Sequence, residues 1–148
     1  MLLQLILASV MVIAIVLIHL VGLAVLTRLL RSHSRLLRRL RLMPLLLLLA
    51  ATVGIIGIHT AEIWAYAALY LGLGAFGSFE EALYYSTVTY ATIGYGDVLM
   101  PQAWRILGAI EGGVGVVMLG WSTAFLVSLL TQMKLLTHDW LSIEPVDQ

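Results

Sequence analysis

Thr92-Ile93-Gly94-Tyr95-Gly96-Asp97 is a short, polar, glycine-bearing run set between long apolar segments. The surroundings decide how it must be read. With 61% hydrophobic residues over 148 positions and a mean hydropathy of +1.03, the chain is too apolar to hide its surface in one soluble core. In a membrane, backbone leaves the helix only where it is buried in protein or lines a water-filled path. The run at 92–97 therefore needs a partner for its peptide groups.

Working outward, Ser78-Phe79-Glu80-Glu81 reads as a capping box, with Ser78 as N-cap and Glu81 three residues on. The helix it starts, 78–91, is only about 20 Å long and too short to cross, so it is expected to be re-entrant. Gly72, Gly74 and Gly77 break the helix before it. Residues 44–73 form an outer spanning helix with Pro44 in its first turn, and 103–132 form an inner one. Residues 1–27 make a first span, in which His19 is expected to be hydrogen-bonded against a neighbouring helix or backbone. Residues 133–148 are a brief tail. The expected fold is an all-α integral membrane protein with three transmembrane helices and a short re-entrant helix that leads into an extended run at 92–97.

Six of the eight basic residues fall in one connection, 28–42. Arg28, Arg31, Arg35, Arg38 and Arg39 share one face of a helix whose other face is leucine, which predicts an amphipathic interfacial helix in contact with anionic lipid or serving as a topological anchor. These arginines stand in a loop-length segment, unlike a voltage sensor. The positive-inside rule then puts the N-terminus outside, the re-entrant loop opening outward and the C-terminus inside. Trp64, Tyr66 and Tyr70 are expected to form an aromatic belt at the outer face. The chain contains no cysteine, so disulfides and thiolate sites are excluded.

Ionisable residues inside spans are costly and are functional candidates by default. His59 and Glu62 lie one turn apart on the outer helix. Glu111 lies about two turns into the inner helix, and Arg105 is grouped with these three by expected depth. Structural pairing would satisfy the same energetics. A buried polar network behind the 92–97 run that biases gating with pH is the expectation for His59, Glu62, Arg105 and Glu111.

An ordinary strand points successive carbonyls to opposite sides. Positive φ at Gly94 and Gly96 would turn the carbonyls of Thr92, Ile93, Gly94 and Tyr95 to one axis, with the Thr92 hydroxyl as a further ring. Stacked carbonyl rings replace the hydration shell of a cation, and K+ is the expected guest at Thr92, Ile93, Gly94 and Tyr95. The C-terminal end of the short helix aims a partial negative charge at the space beneath. Asp97, Tyr84, Tyr85 and Thr89 are the supporting side chains, the two tyrosines expected to pack and bond around Tyr95.

The stretch from Ser86 to Asp97 resembles the pore-helix end and signature filter of the potassium channel superfamily, and the likeness covers the second half to two thirds of the chain. The run from Gly120 to Leu126 is also similar to small bacterial channels. The resemblance implies a homotetrameric, potassium-selective, passive pore rather than an enzyme, in a bacterial plasma membrane, with K+ as permeant ion and no cofactor or nucleic acid. It also implies that Gly115 is an inner-helix hinge and that Thr123 faces the cavity. One strand cannot make a ring, which independently calls for several copies. Val88 stands where some bacterial channels carry a glutamate, and the first span has no counterpart in two-helix members. A regulatory subunit of a mixed channel is an alternative. A potassium uptake transporter subunit is another, although those chains carry four degenerate loops and this one carries a single loop without internal repeat.

Overall fold

The computed structural model describes the backbone of residues 1–36 and 43–132 and the side chains of 1–32 and 44–132. Four helices follow one another: α1 Leu2–Leu36, α2 Met43–Gly72, α3 Phe79–Tyr90 and α4 Arg105–Gln132, the last preceded by a 3-10 turn, Gln102–Trp104. Three stretches are long and apolar enough to cross a membrane, Leu2–Ser32, Pro44–Gly72 and Gln102–Gln132. The protein is an all-α integral membrane protein.

α1 differs from its expected bounds. It does not stop at residue 27 but runs unbroken for 35 residues to Leu36, so Arg28 and Arg31 ride on the same helix as the first span. At 1.5 Å per residue that is about 52 Å, against about 30 Å of hydrocarbon. The basic end projects past the apolar layer. Helix persists there because leucine and arginine are good helix formers and 27–28 holds no glycine or proline to stop it. The side chains of Arg35, Arg38 and Arg39, and the tail 133–148, lie outside the described residues.

α2 packs against α1, α3 and α4. Gly22 and Gly54 are the notches that bring α1 and α2 together, since a Cβ on them would sit 2.7 Å from Ile58 Cγ1 and 2.5 Å from Leu26 Cδ1. Near the basic end Leu26, Leu30, Ala51, Ile55 and Ile58 form a core that Phe125 and Leu129 of α4 cover. At the other end Gln4 Oε1 accepts from the Ile106 N–H at 3.1 Å, satisfying an orphan donor in the first turn of α4. α1 and α4 therefore begin on the same side, the side to which α2 climbs.

α2 ends in a Schellman motif. The Ala75 N–H bonds Tyr70 O at 2.9 Å, the Gly74 N–H bonds Leu71 O at 3.0 Å, and Gly74 takes φ +65°. Of the three glycines in that segment, Gly74 is the one that stops the helix. α3 then starts at its predicted cap, with the Glu81 N–H donating to Ser78 Oγ at 3.1 Å. The return bond of the capping box goes one residue earlier, from the Gly77 N–H to Glu81 Oε2 at 3.2 Å. α3 dives between α2 and α4, and residues 91–104 climb back to the start of α4.

Candidate functional site

α3 ends where its carbonyls meet the next loop. The N–H groups of Ile93 and Gly94 both reach Val88 O, at 2.9 and 3.3 Å, and the Thr92 N–H reaches Thr89 O at 3.0 Å. These bonds turn the chain out of the helix. From there φ alternates in sign: Thr92 +59°, Gly94 +62° and Gly96 +76° are positive, while Ile93 and Tyr95 are not. Alternation of this kind undoes the left-right flip of a strand and brings successive carbonyls to one side. Thr92 is the addition to the expected pattern, since a β-branched residue at positive φ costs of order 1–3 kcal/mol and persists only where its surroundings hold it.

Among the described residues, no hydrogen bond ends on a carbonyl of 92–96. The whole run is exposed in the single chain, Tyr95 to 70%. Five free carbonyls in a membrane protein make a surface that one chain leaves unfinished. Asp97 ends the run. Tyr84 Oη donates to its Oδ2 at 2.6 Å and the Val98 N–H to its Oδ1 at 3.1 Å. The Tyr84 bond holds the Asp97 carboxyl below the usual carboxylate range. Tyr84 thus ties Asp97 instead of Tyr95. Tyr85 turns the other way, its ring 5.0 Å from Phe76 and 5.7 Å from Tyr70, with its hydroxyl where Gly108 leaves room.

The polar residues behind the loop fall into two clusters rather than one network. In the first, Glu62 accepts from His19 Nδ1 at 2.8 Å, from His59 Nδ1 at 2.9 Å and from the Tyr90 hydroxyl. Ser122 Oγ lies 2.9 Å from His59 Nε2 and 3.5 Å from His19 Nε2. In the second, Glu111 accepts from Tyr70 Oη at 2.6 Å and from Ser86 Oγ, whose hydroxyl also lies 3.1 Å from Ile63 O. Glu62 and Glu111 are both fully buried. Arg105 is exposed and joins neither cluster. Its grouping by depth fails on azimuth, because six residues turn a helix about 240° away from Glu111.

Other expectations change too. Tyr66 and Tyr70 are completely buried, their rings stacked 6.0 Å apart, so of the three belt residues only Trp64 is exposed. A Cβ at Gly115 would lie 2.1 Å from Tyr90 O. Here glycine admits the end of α3 against α4, which is one continuous helix from Arg105 to Gln132. Thr123 is exposed, its hydroxyl bonded to Leu119 O at 2.9 Å. Thr89 lies against Gly112, with 3.6 Å between its carbonyl oxygen and a Cβ built there. His19, Tyr70, Ser86, Tyr90 and Ser122 are the site residues that sequence reading left out. Only the rarity of a histidine within a span pointed to His19.

The family model described as ion channel matches residues 45–132, more than half of the chain. The match runs from α2 through the loop to the end of α4 and leaves α1 outside. No curated protein and no solved structure matches the chain.

Proposed function

The chain belongs to this ion channel family, as a small channel in the potassium channel superfamily, and on that premise we propose that it conducts K+ passively as a homotetramer. The observation that carries this reading is the alternating sign of φ over 92–96, together with carbonyls on which no hydrogen bond ends among the described residues. Four such strands around an axis give rings of oxygens that replace the hydration shell of a cation, and several rings in a row allow knock-on passage. The exposure of the whole run in a single chain supports closure by further copies. Thr92, Ile93, Gly94 and Tyr95 are the proposed K+ ligands. Gly96 completes the alternation, and the Tyr84–Asp97 bond braces the outer end.

The basic end of α1 supports an orientation with the N-terminus and filter mouth outside and the C-terminus in the cytoplasm. Arg28 and Arg31 are the described part of a surface suited to anionic lipid, which Arg35, Arg38 and Arg39 would extend. On the exposed side of α4, Thr123 follows Val116 and Gly120 at helical spacing, which suits a cavity wall.

The test is flux into proteoliposomes holding only the purified chain, with potassium and sodium gradients compared. Potassium flux well above sodium flux is expected. Equal permeation would remove selectivity, and no flux with an intact tetramer would favour a regulatory subunit. In Gly94→Ala, no neighbouring atom of the same chain lies within 4 Å of the new Cβ, so the cost is the φ of +62°, about 1–2 kcal/mol per strand and repeated around the ring. Selective flux should be lost, and its retention would count against the carbonyl-ring reading.

A further inference from the structure

Each imidazole of His19 and His59 sends Nδ1 to the Glu62 carboxylate and Nε2 to Ser122 Oγ. Four helices supply this cluster: α1 gives His19, α2 gives His59 and Glu62, α3 gives Tyr90 and α4 gives Ser122. With both rings neutral and Glu62 ionised, the donor count does not close. If both rings donate from Nδ1 to Glu62, both Nε2 atoms are acceptors, and Ser122 has one hydroxyl proton to offer two of them. The longer of the two contacts, 3.5 Å to His19 Nε2, is at the outer limit of a hydrogen bond. A cation among the Nδ1 atoms reverses the count. Both Nε2 atoms then carry hydrogen, and Ser122 Oγ has two lone pairs with which to accept from both.

We propose that His19 Nδ1, His59 Nδ1 and a Glu62 carboxylate oxygen bind a borderline dication of the Zn2+ type, oriented by Ser122. One ligand atom from each residue already lies within 4.8 Å of the others. Tetrahedral zinc with bonds of about 2.0 Å holds its ligands about 3.3 Å apart, so small side-chain shifts suffice. Two imidazoles and a carboxylate suit zinc, whereas magnesium and calcium prefer oxygen alone. Tyr90 Oη, 3.0 Å from His59 Nδ1, borders the open fourth position, which it or a water would fill. A histidine ligand whose other ring nitrogen donates to a fixed acceptor is the usual second layer of a zinc site, and here one serine serves both rings. The ion would clamp α1 to α2 directly beneath the last residue of α3. α1 lies outside the residues matched by the family model, so this use of His19 belongs to the part of the chain that the family match leaves unexplained.

The experiment uses the full chain without a histidine tag, grown with added Zn2+, purified in detergent and assayed for metal by elemental mass spectrometry. About one Zn2+ per chain is expected, with chelation lowering Tm and re-addition restoring it. Co2+ in place of Zn2+ should give the strong visible absorption of a tetrahedral site. His19→Gln and His59→Gln, checked for folding by size exclusion and Tm, should lose the metal, while Ser122→Ala should keep it at about tenfold weaker affinity. A wild-type chain without stoichiometric metal, both from zinc-supplemented culture and after refolding with Zn2+, would overturn the proposal and leave a cluster that closes with a proton. Equal metal content in folded His19→Gln and His59→Gln would overturn it as well. None of these readouts depends on conduction, so loss of the K+ reading would leave them standing.

Discussion

Glu62 and Glu111 are both fully buried carboxyl groups in the interior of the same small protein, yet they are held in opposite ways. Glu62 is ringed by donors: two imidazoles and a phenol converge on its two oxygens. Glu111 meets two hydroxyls, one of which, Ser86, has a second acceptor in Ile63 O. The first site brings up to three hydrogens to one carboxylate. The second can take a group that also donates. They are also apart in depth, because Ser122 and Glu111 stand on one face of α4, eleven residues and about 16 Å apart along the axis. The difference teaches that burial alone does not set the worth of a carboxyl, whereas the hydrogens its neighbours bring do.

The sharpest way to break that contrast is to replace each carboxyl by its amide. Glu62→Gln puts an NH2 group against His19 Nδ1 or against His59 Nδ1 and Tyr90, so the ring it meets must switch tautomer to accept, and the bonds to a carboxylate become bonds to a neutral amide. Exchanging three hydrogen bonds to a charged group for neutral ones should cost about 3 kcal/mol, read from denaturant unfolding of the purified protein in detergent. A loss below about 1 kcal/mol would mean that the donors around Glu62 are easily satisfied elsewhere.

Next in size is a backbone contact on the Glu62 side. Gly115→Ala drives a methyl to 2.1 Å from Tyr90 O and 2.9 Å from Tyr90 C, and backbone cannot swing away as a long side chain can. A loss of about 2 kcal/mol is expected from overpacking. Gly112→Ala, one turn closer to Glu111, is its control. The new Cβ meets Thr89 O at 3.6 Å and Thr89 Cγ2 at 3.8 Å, which is ordinary contact, so helix propensity should decide, with no loss or a gain of about 0.5 kcal/mol. Equal losses at the two glycines would show that α3 and α4 part readily at both levels.

Smaller still is Glu111→Gln. The amide oxygen can accept from Tyr70 Oη while its NH2 donates to Ser86 Oγ, freeing the Ser86 proton for Ile63 O. Less than about 1 kcal/mol should be lost. A loss as large as that of Glu62→Gln would erase the distinction between the two sites.

The spans and the re-entrant loop were legible in the sequence because long apolar runs, the Ser78 cap and the paired glycines at 94 and 96 are local signals. Gly94 and Gly96 announce positive φ by having no Cβ. Thr92 does not, because nothing in a threonine signals that its surroundings will force it there. The split of the polar residues was illegible for another reason. His19, Glu62, Tyr90 and Ser122 meet across gaps of tens of residues, and only the rotation and rise of packed helices decide which depth and face each occupies. Tyr70 shows the same effect, since a tyrosine near a helix end suits a membrane interface equally well until a buried carboxyl on another helix claims its hydroxyl. The end of α1 was misjudged because a switch from leucine to arginine changes the solvent a helix prefers without ending the helix.

Tyr66 lies between the two clusters, one turn from Glu62 and one turn from Tyr70 along α2, and its hydroxyl is buried without a hydrogen-bond partner among the described residues. A buried hydroxyl left unpaired costs about 1–3 kcal/mol, while its ring still earns the packing against Tyr70. Tyr66→Phe keeps the ring and removes the orphan, so stability should rise by about 1 kcal/mol or stay level. The measurement bears directly on whether Glu62 and Glu111 are separate. A loss of about 1 kcal/mol or more would mean that the hydroxyl does have a partner, and the space between the clusters makes a bridging water the natural one. Tyr66 would then join the two carboxyls into one chain of hydrogen bonds, and amide replacements at 62 and 111 would stop being independent. A double variant, Tyr66→Phe with Glu111→Gln, separates the cases: additive effects keep the sites apart, and a coupling above about 0.5 kcal/mol links them.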